Sequence, residues 1–435
     1  MRVLQLTGSS AGGVARHARE ISALLAAGPV PGGPEPAGPV PGGPEPAGPV
    51  PGGPARHGDR GAEVILAGPA DVVGPMAEED LPGARSVHTT VVEIADRPQP
   101  QDARAVARVR ELAAGADVVH AHGLRAGAMA VLAVRTLGVA RPRLVVTVHN
   151  LPVGGPRVQA VAGVLEKVVA RGADAVLAVS GDLVARMRTR GARDVRRALV
   201  PAPARPVPGT APEDVRRDLG LAPGERLILT VARLAPQKGL DLLADAAGLL
   251  ARADPADAAD RADAADRADP ADRTDRADRT DRADPPDRAA PGAAAWRWVV
   301  VGDGPLREDL AERVRAEGLP VHLAGRRDDV PALLAAADVV VSTATWEGQP
   351  IAVQEALRAG APVVATDVGG TREVTGDAAV LVPGGDAEAL AAAVRAILDD
   401  DDRRAGLRVT ARERAATLPG PAEVLAQLTA VYARP

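Results

Sequence analysis

The 435-residue chain reads as α/β, with two doubly wound parallel-sheet domains facing each other across a cleft. Three observations predict this. Short apolar runs of Val, Leu and Ala alternate with amphipathic segments, so strands and helices follow one another in turn. The alternation stops at a Pro-rich stretch over 201–212 and then starts again. Glycine-bearing loops follow several of the apolar runs, at the strand ends where Rossmann-like sheets take their ligands.

Taken in order, the first half has strands over 3–7, 63–67, 118–120, 144–149 and 175–180, with helices over 14–26 and 103–114. The second half restarts with a strand over 227–232 and a helix over 240–250. A strand over 298–301, a helix over 306–317 and strands over 321–324 and 339–341 follow. A helix over 351–359, a strand over 363–366 and a helix over 387–398 complete it. The expected domains are 1–203 and 204–418, with a last helical segment over 419–435. Two low-complexity insertions interrupt them. Residues 27–54 repeat Ala-Gly-Pro-Val-Pro-Gly-Gly-Pro-Glu-Pro, too rich in Pro and Gly for helix or sheet. Within 252–291, Asp recurs at every third position from Asp254 to Asp287, with no apolar face to bury. Insertions of this kind are tolerated in surface loops.

Composition excludes several classes. The aromatics are Trp296, Trp298, Trp346 and Tyr432, too few for base-stacking platforms, and a net charge of −5 gives no footprint for nucleic acid. Without cysteine there are no disulfides, thiolate metal sites or thiol nucleophiles. The first ten residues lack the pattern of a secretion signal, and no run reaches the roughly 20 apolar residues of a membrane span. A cytoplasmic protein is expected, with loose attachment to the inner membrane face left open.

The most informative stretch is 346–366. Glu347 and Glu355 flank a Gly-Gln-Pro turn between a strand and a helix, with Pro350 suited to the first helical position. Glu347 is expected on the loop at a strand's carboxyl end and Glu355 inside the helix. Two carboxylates there can accept hydrogen bonds from sugar hydroxyls, while the helix start favours phosphate. An ordinary surface Glu and an ordinary helix Glu are the plain alternative.

Earlier in the same half, Arg233 and Lys238 leave a strand end on one loop. Two fixed cations so placed suit a diphosphate leaving group, where electrostatic stabilisation is usually the largest catalytic contribution. Solvated surface charge is the alternative, but lysine occurs only at 167 and 238 among 52 basic residues. The loop from Gly8 to His17 opens the first helix without the dinucleotide G-x-G-x-x-G spacing, and Gly302-Asp-Gly304-Pro305 also lacks its third glycine. A nicotinamide dehydrogenase is therefore disfavoured. His120-Ala-His122 and His149-Asn150 end neighbouring strands; with no carboxylate or cysteine at ligand spacing, a substrate-contacting or structural role outranks zinc. No metal or cofactor is expected.

Together these residues resemble the retaining glycosyltransferases of family 4, which have the two-domain GT-B fold. The resemblance runs through Gly12-Gly13, the segment from Asp117 to Gly123, the segment from Val231 to Gly239, Val301-Gly-Asp-Gly-Pro305, the Glu347–Glu355 pair, and Gly369-Gly370 with Glu373. It covers nearly the whole chain outside the insertions. It implies a nucleoside-diphosphate-sugar donor held mainly by the second domain and an acceptor approached from the first. Arg233 and Lys238 would bind the diphosphate, Glu355 the ribose, and Glu347 with Gly348 the sugar. Gly13 would help to hold phosphate, and His122 would lie near the sugar's reacting face. A front-face transfer with retention and without metal is implied, and the segment near 423–432 would cross back onto the first domain. Gln349 stands where the family commonly has an apolar residue, and Val200-Pro-Ala-Pro203 replaces an Asn-Gly-Val-Asp hinge. A sugar-nucleotide epimerase of the same fold and a non-catalytic nucleotide- or glycan-binding module are the alternatives. Sugar, base, acceptor and oligomeric state are not specified.

Overall fold

The computed structural model describes residues 1–8, 13–28, 61–78, 82–95, 99–152, 155–201, 209–252 and 296–433. Gly12, residues 202–203 of the hinge, and the two repeats apart from their first residue or two lie outside the described residues. The chain forms two compact units, one of Met1–Pro201 with Pro419–Pro435 and one of Ala202–Leu418.

The first unit is built on β1 (Arg2–Thr7), β2 (Glu63–Gly68), β3 (Val87–Val91), β4 (Val118–His122), β5 (Arg143–Val148), β6 (Ala175–Ala178) and β7 (Val195–Arg197). All pair in parallel, in the order β3-β2-β1-β4-β5-β6-β7. The second unit holds β8 (Arg226–Val231), β9 (Trp296–Val301), β10 (Val321–Gly325), β11 (Val339–Ser342), β12 (Val363–Thr366) and β13 (Val380–Val382). These are parallel too, in the order β10-β9-β8-β11-β12-β13. In each sheet the strand order reverses once, between β1 and β4 and between β8 and β11. Such a reversal splays the two following loops apart and leaves a crevice at the carboxyl ends of the strands.

The central strands are buried on both faces, because helices cover both faces of each sheet. In the second unit, two apolar clusters sandwich the sheet: Ile228, Trp298 and Val341 lie in one, Leu227, Leu229 and Val340 in the other. Trp298 is fully buried, and its indole N–H donates to Thr230 Oγ1 at 2.9 Å. That hydroxyl donates to the Val341 carbonyl, also at 2.9 Å. One buried chain thus links β9, β8 and β11 and fixes the strands that flank the crevice.

The structure adds elements that periodicity did not reveal. β3 is an edge strand with exposed or half-buried side chains and so has no apolar run. Helix Leu124–Arg135 is buried almost all round, and a helix without a polar face shows no amphipathic period. Helix Asp401–Ala416 is the opposite case, burying only Arg404 and Ala411. Pro350 caps helix Ile351–Arg358 from outside instead of opening it; its carbonyl accepts from the Gln354 amide at 3.0 Å. β4 runs two residues further than expected, which makes His122 a strand residue.

Candidate active site

In the second unit, the loop after β8 and the loop after β11 leave the switch point side by side. The first turns through Pro236–Lys238 into helix Leu240–Arg252. Gly239 closes the turn at φ 60°, and a Cβ there would lie 2.0 Å from the Thr343 carbonyl oxygen, so only glycine lets the loops approach this closely. Two further bonds lock them: the Thr343 hydroxyl donates to the Lys238 carbonyl at 2.8 Å, and the Thr345 amide to that of Gln237 at 2.9 Å. Lys238 and Glu347 consequently meet in an ion pair, with side chains 24% and 15% exposed. Behind it, Gly369 at φ 53° passes so close that a Cβ would stand 2.0 Å from the Glu347 carbonyl oxygen, and the Gly370 amide donates to that oxygen at 2.8 Å.

Arg233 is exposed on the same loop as Lys238. Its neighbour Leu234 is pinned by the Gly302–Pro305 segment: the Leu234 amide donates to the Asp303 carbonyl at 2.9 Å, and the Leu306 amide to that of Leu234 at 3.0 Å. Gly348 is buried in the turn, and Glu355 is half-buried in the second turn of helix Ile351–Arg358. The recess here is lined by Thr230, Lys238, Ser342, Glu347 and Ile351. Lys238 and Glu347 therefore line one recess, whereas Arg233, Gly348 and Glu355 are not among its lining residues. Gly13 and His122 are the two remaining site residues expected from the sequence.

Those two belong to the first unit. Gly13 opens helix Gly13–Ala27 and is exposed, with open space where a Cβ would be. His122 ends β4 beside β1 and β5. In these three neighbouring strands, polar residues occupy alternate positions: Gln5 and Thr7, His120 and His122, Thr147 and then His149. A period of two puts them on one face. His122 is 2% exposed; its Nε2 lies 2.8 Å from Gln5 Oε1 and its Nδ1 3.3 Å from His149 Nε2. Burial pushes His17 down to about 4, and burial with the neighbouring His17 pushes His120 down to about 3. Burial and the surrounding imidazoles hold His122 and His149 well below the ordinary histidine range. These rings are neutral at physiological pH.

A pocket of about 610 Å³ opens beside them, lined by His122, His149 and Asn150 and by apolar groups such as Leu124, Leu151 and Val161. Nitrogens of His17, His122 and His149 lie within 4.8 Å of one another, the one grouping among the described residues that could hold a metal. Both nitrogens of His122 are already turned to Gln5 and His149. His149, read from the sequence only as a substrate-contacting or structural histidine, received no role from the family resemblance. The alternation of polar residues in otherwise apolar strands is the signal that would have singled it out.

Two units with this strand order define the GT-B class of sugar-handling folds. Over 99% of its length the chain superposes on Anabaena HepE, solved in complex with UDP-glucose, with a TM-score of 0.68, covering 98% of that chain at 20% identity. Residues 55–203 match the model of the glycosyl transferase 4-like domain and residues 285–400 that of the glycosyl transferases group 1. The chain belongs to the group 1 glycosyltransferases of family 4. It is 28% identical over 85% of its length to D-inositol 3-phosphate glycosyltransferase of Salinispora arenicola, covering 78% of that protein. It is 30% identical over 205 residues to 2-deoxystreptamine N-acetyl-D-glucosaminyltransferase of Streptomyces fradiae. That match takes in 46% of this chain and 40% of the relative. Among the described residues, no helix is long and apolar enough to cross a membrane.

Proposed function

We propose that the protein transfers a sugar from a nucleoside-diphosphate sugar to an acceptor hydroxyl with retention of configuration. The Lys238–Glu347 pair at the β8/β11 switch point carries this reading. It sets a cation and a carboxylate side by side at the crevice where an open α/β sheet takes its ligand. In this reading Arg233 and Lys238 neutralise the departing diphosphate, Glu347 and Gly348 hold the sugar, and Glu355 holds the ribose. Gly13 offers backbone N–H groups to phosphate. His122, next to His149, lies on the acceptor side.

The transition state is oxocarbenium-like, and its leaving group carries the developing negative charge. Two fixed cations stabilise that charge without a divalent ion, and the departing phosphate oxygen accepts the hydroxyl proton on the same face. The names of the relatives support sugar transfer, and HepE was solved with UDP-glucose, which supports a nucleotide-sugar donor. The expectation of a cytoplasmic protein, touching the inner membrane face when its acceptor is lipid-linked, stays with this reading.

The test is a thermal-shift screen of UDP, GDP, ADP and their sugars, since a ligand that binds the native state raises its stability. One nucleotide family is expected to raise the melting temperature, and its sugar to be consumed only when an acceptor is added. No shift with any of them defeats the proposal. Donor epimerised without acceptor replaces it with the epimerase reading.

A further inference from the structure

The only tyrosine of the chain, Tyr432, lies buried at the end of helix Pro421–Tyr432, a segment that follows the second unit in sequence but belongs to the first. The Gln427 side chain ties this helix down, accepting from the Leu199 amide at 3.0 Å and donating to the Arg197 carbonyl at 2.8 Å. Arg143 Nε donates to the Val431 carbonyl at 2.6 Å. The Tyr432 hydroxyl thereby reaches the row of polar residues on β1, β4 and β5.

Its single proton sets the direction of every bond in that row. Gln5 Nε2 donates to the phenol oxygen at 3.0 Å, so the phenol proton goes to His120 Nδ1 at 2.7 Å. His120 is then protonated on Nε2 and donates to Thr147 Oγ1 at 2.7 Å. In the other direction, Gln5 presents its carbonyl oxygen to His122, which must carry its proton on Nε2 to donate across 2.8 Å. His122 Nδ1 is left bare and accepts from His149 Nε2 at 3.3 Å. His149, which lines the pocket, is left with a bare Nδ1.

We propose that Tyr432 is a positioning residue that fixes the tautomers of His122 and His149 through Gln5. The proposal rests on the reading above that these imidazoles face the acceptor. Without the hydroxyl, Gln5 Nε2 and His120 Nδ1 lose a buried partner, and the Gln5 amide keeps only its bond at Oε1 to His122, whose tautomer can follow the amide when it turns. Turned over, the amide donates to His122 Nε2, moves the His122 proton to Nδ1, and makes His149 Nε2 the acceptor. The proton on His149 then shifts to Nδ1, and a hydroxyl acceptor on the pocket-lining ring becomes a donor.

The experiment is long-range ¹H–¹⁵N correlation of the histidine rings in the full-length ¹⁵N-labelled protein at pH 7.5, with single-histidine variants to assign the signals. In the wild type, His122 and His149 should each show a protonated Nε2 and a bare Nδ1. Tyr432→Phe should mix or reverse both tautomers. A wild-type His122 protonated on Nδ1 overturns the proposal, as does a Tyr432→Phe protein in which both tautomers are unchanged, whatever its melting temperature. Gln5→Met cuts the same link and must give the same loss at His122, which covers a Tyr432→Phe protein that does not fold. The wild-type spectrum decides on its own if neither variant folds. Full turnover in His122→Ala and His149→Ala defeats the reading of the acceptor side, whereas the tautomers alone judge Tyr432.

Discussion

Lys238 and Glu347 stand 109 positions apart in sequence and form one ion pair at the carboxyl end of the second sheet. The loops that carry them are locked backbone to backbone, so the pair is held in place rather than merely attracted. In the proposed function, the donor diphosphate would compete with Glu347 for the Lys238 ammonium. Lys238→Ala and Glu347→Ala are each expected to lower turnover at least tenfold, about 1.4 kcal/mol of barrier or more. In the double variant the losses should be less than additive, since the two groups act in contact. Steady-state kinetics on the three proteins checks this, and unchanged turnover in both single variants refutes the site.

The two close glycines make a separate prediction. Gly239→Ala and Gly369→Ala each place a Cβ 2.0 Å from a backbone oxygen at positive φ. Left-handed backbone and the clash together should cost about 2 kcal/mol or more, a fall in melting temperature of roughly 5 °C. Nucleotide-induced stabilisation should shrink as well, because the Lys238 and Glu347 loops are what moves. A melting temperature within 1 °C or so of the wild type would show that the loops are not held as described.

Gly13→Ala should behave in the opposite way. Among the described residues a Cβ there meets nothing within 4 Å, so the folded protein should melt as the wild type does. Any loss of donor affinity then reports a ligand phosphate lying against the helix start. Calorimetric titration with the nucleotide found by screening decides it; unchanged affinity removes Gly13 from the site.

Acid should destabilise the first unit. Its buried histidines have folded values below the ordinary 6.5, so between that value and the folded one the unfolded chain binds more protons. Stability is fully present above about pH 6.5 and falls as pH drops toward 4. For His17 alone, the lowering to about 4 corresponds to roughly 3 kcal/mol once the unfolded state is protonated. Urea unfolding followed at several pH values between 7 and 4 measures it, and a flat profile would contradict the neutral cluster. His17→Gln should flatten part of the slope.

Much of this was legible in the sequence because parallel strands buried on both faces write themselves as apolar runs. The strands at β1, β4, β5, β8, β9 and β11 could be read that way, and with them the loops bearing Arg233, Lys238 and Glu347. Edge strand β3 and helix Leu124–Arg135 were not legible, one being too polar for an apolar run and the other too apolar for a helical period. The direct Lys238–Glu347 pairing also escaped. It depends on the two loops meeting at a reversal of strand order, and no local pattern encodes which strands become neighbours. Tyr432 escaped for the same reason, since its hydroxyl meets Gln5 across 427 positions.

The closing helix has a consequence for how this polypeptide can be cut. Because residues 419–435 complete the first unit, residues 202–418 are covalently a single long insertion within it. The second unit is contiguous in sequence, bounded by one cut at each end. The first is a split piece: trimming the carboxyl terminus damages the unit that begins at the amino terminus and leaves the neighbouring one intact.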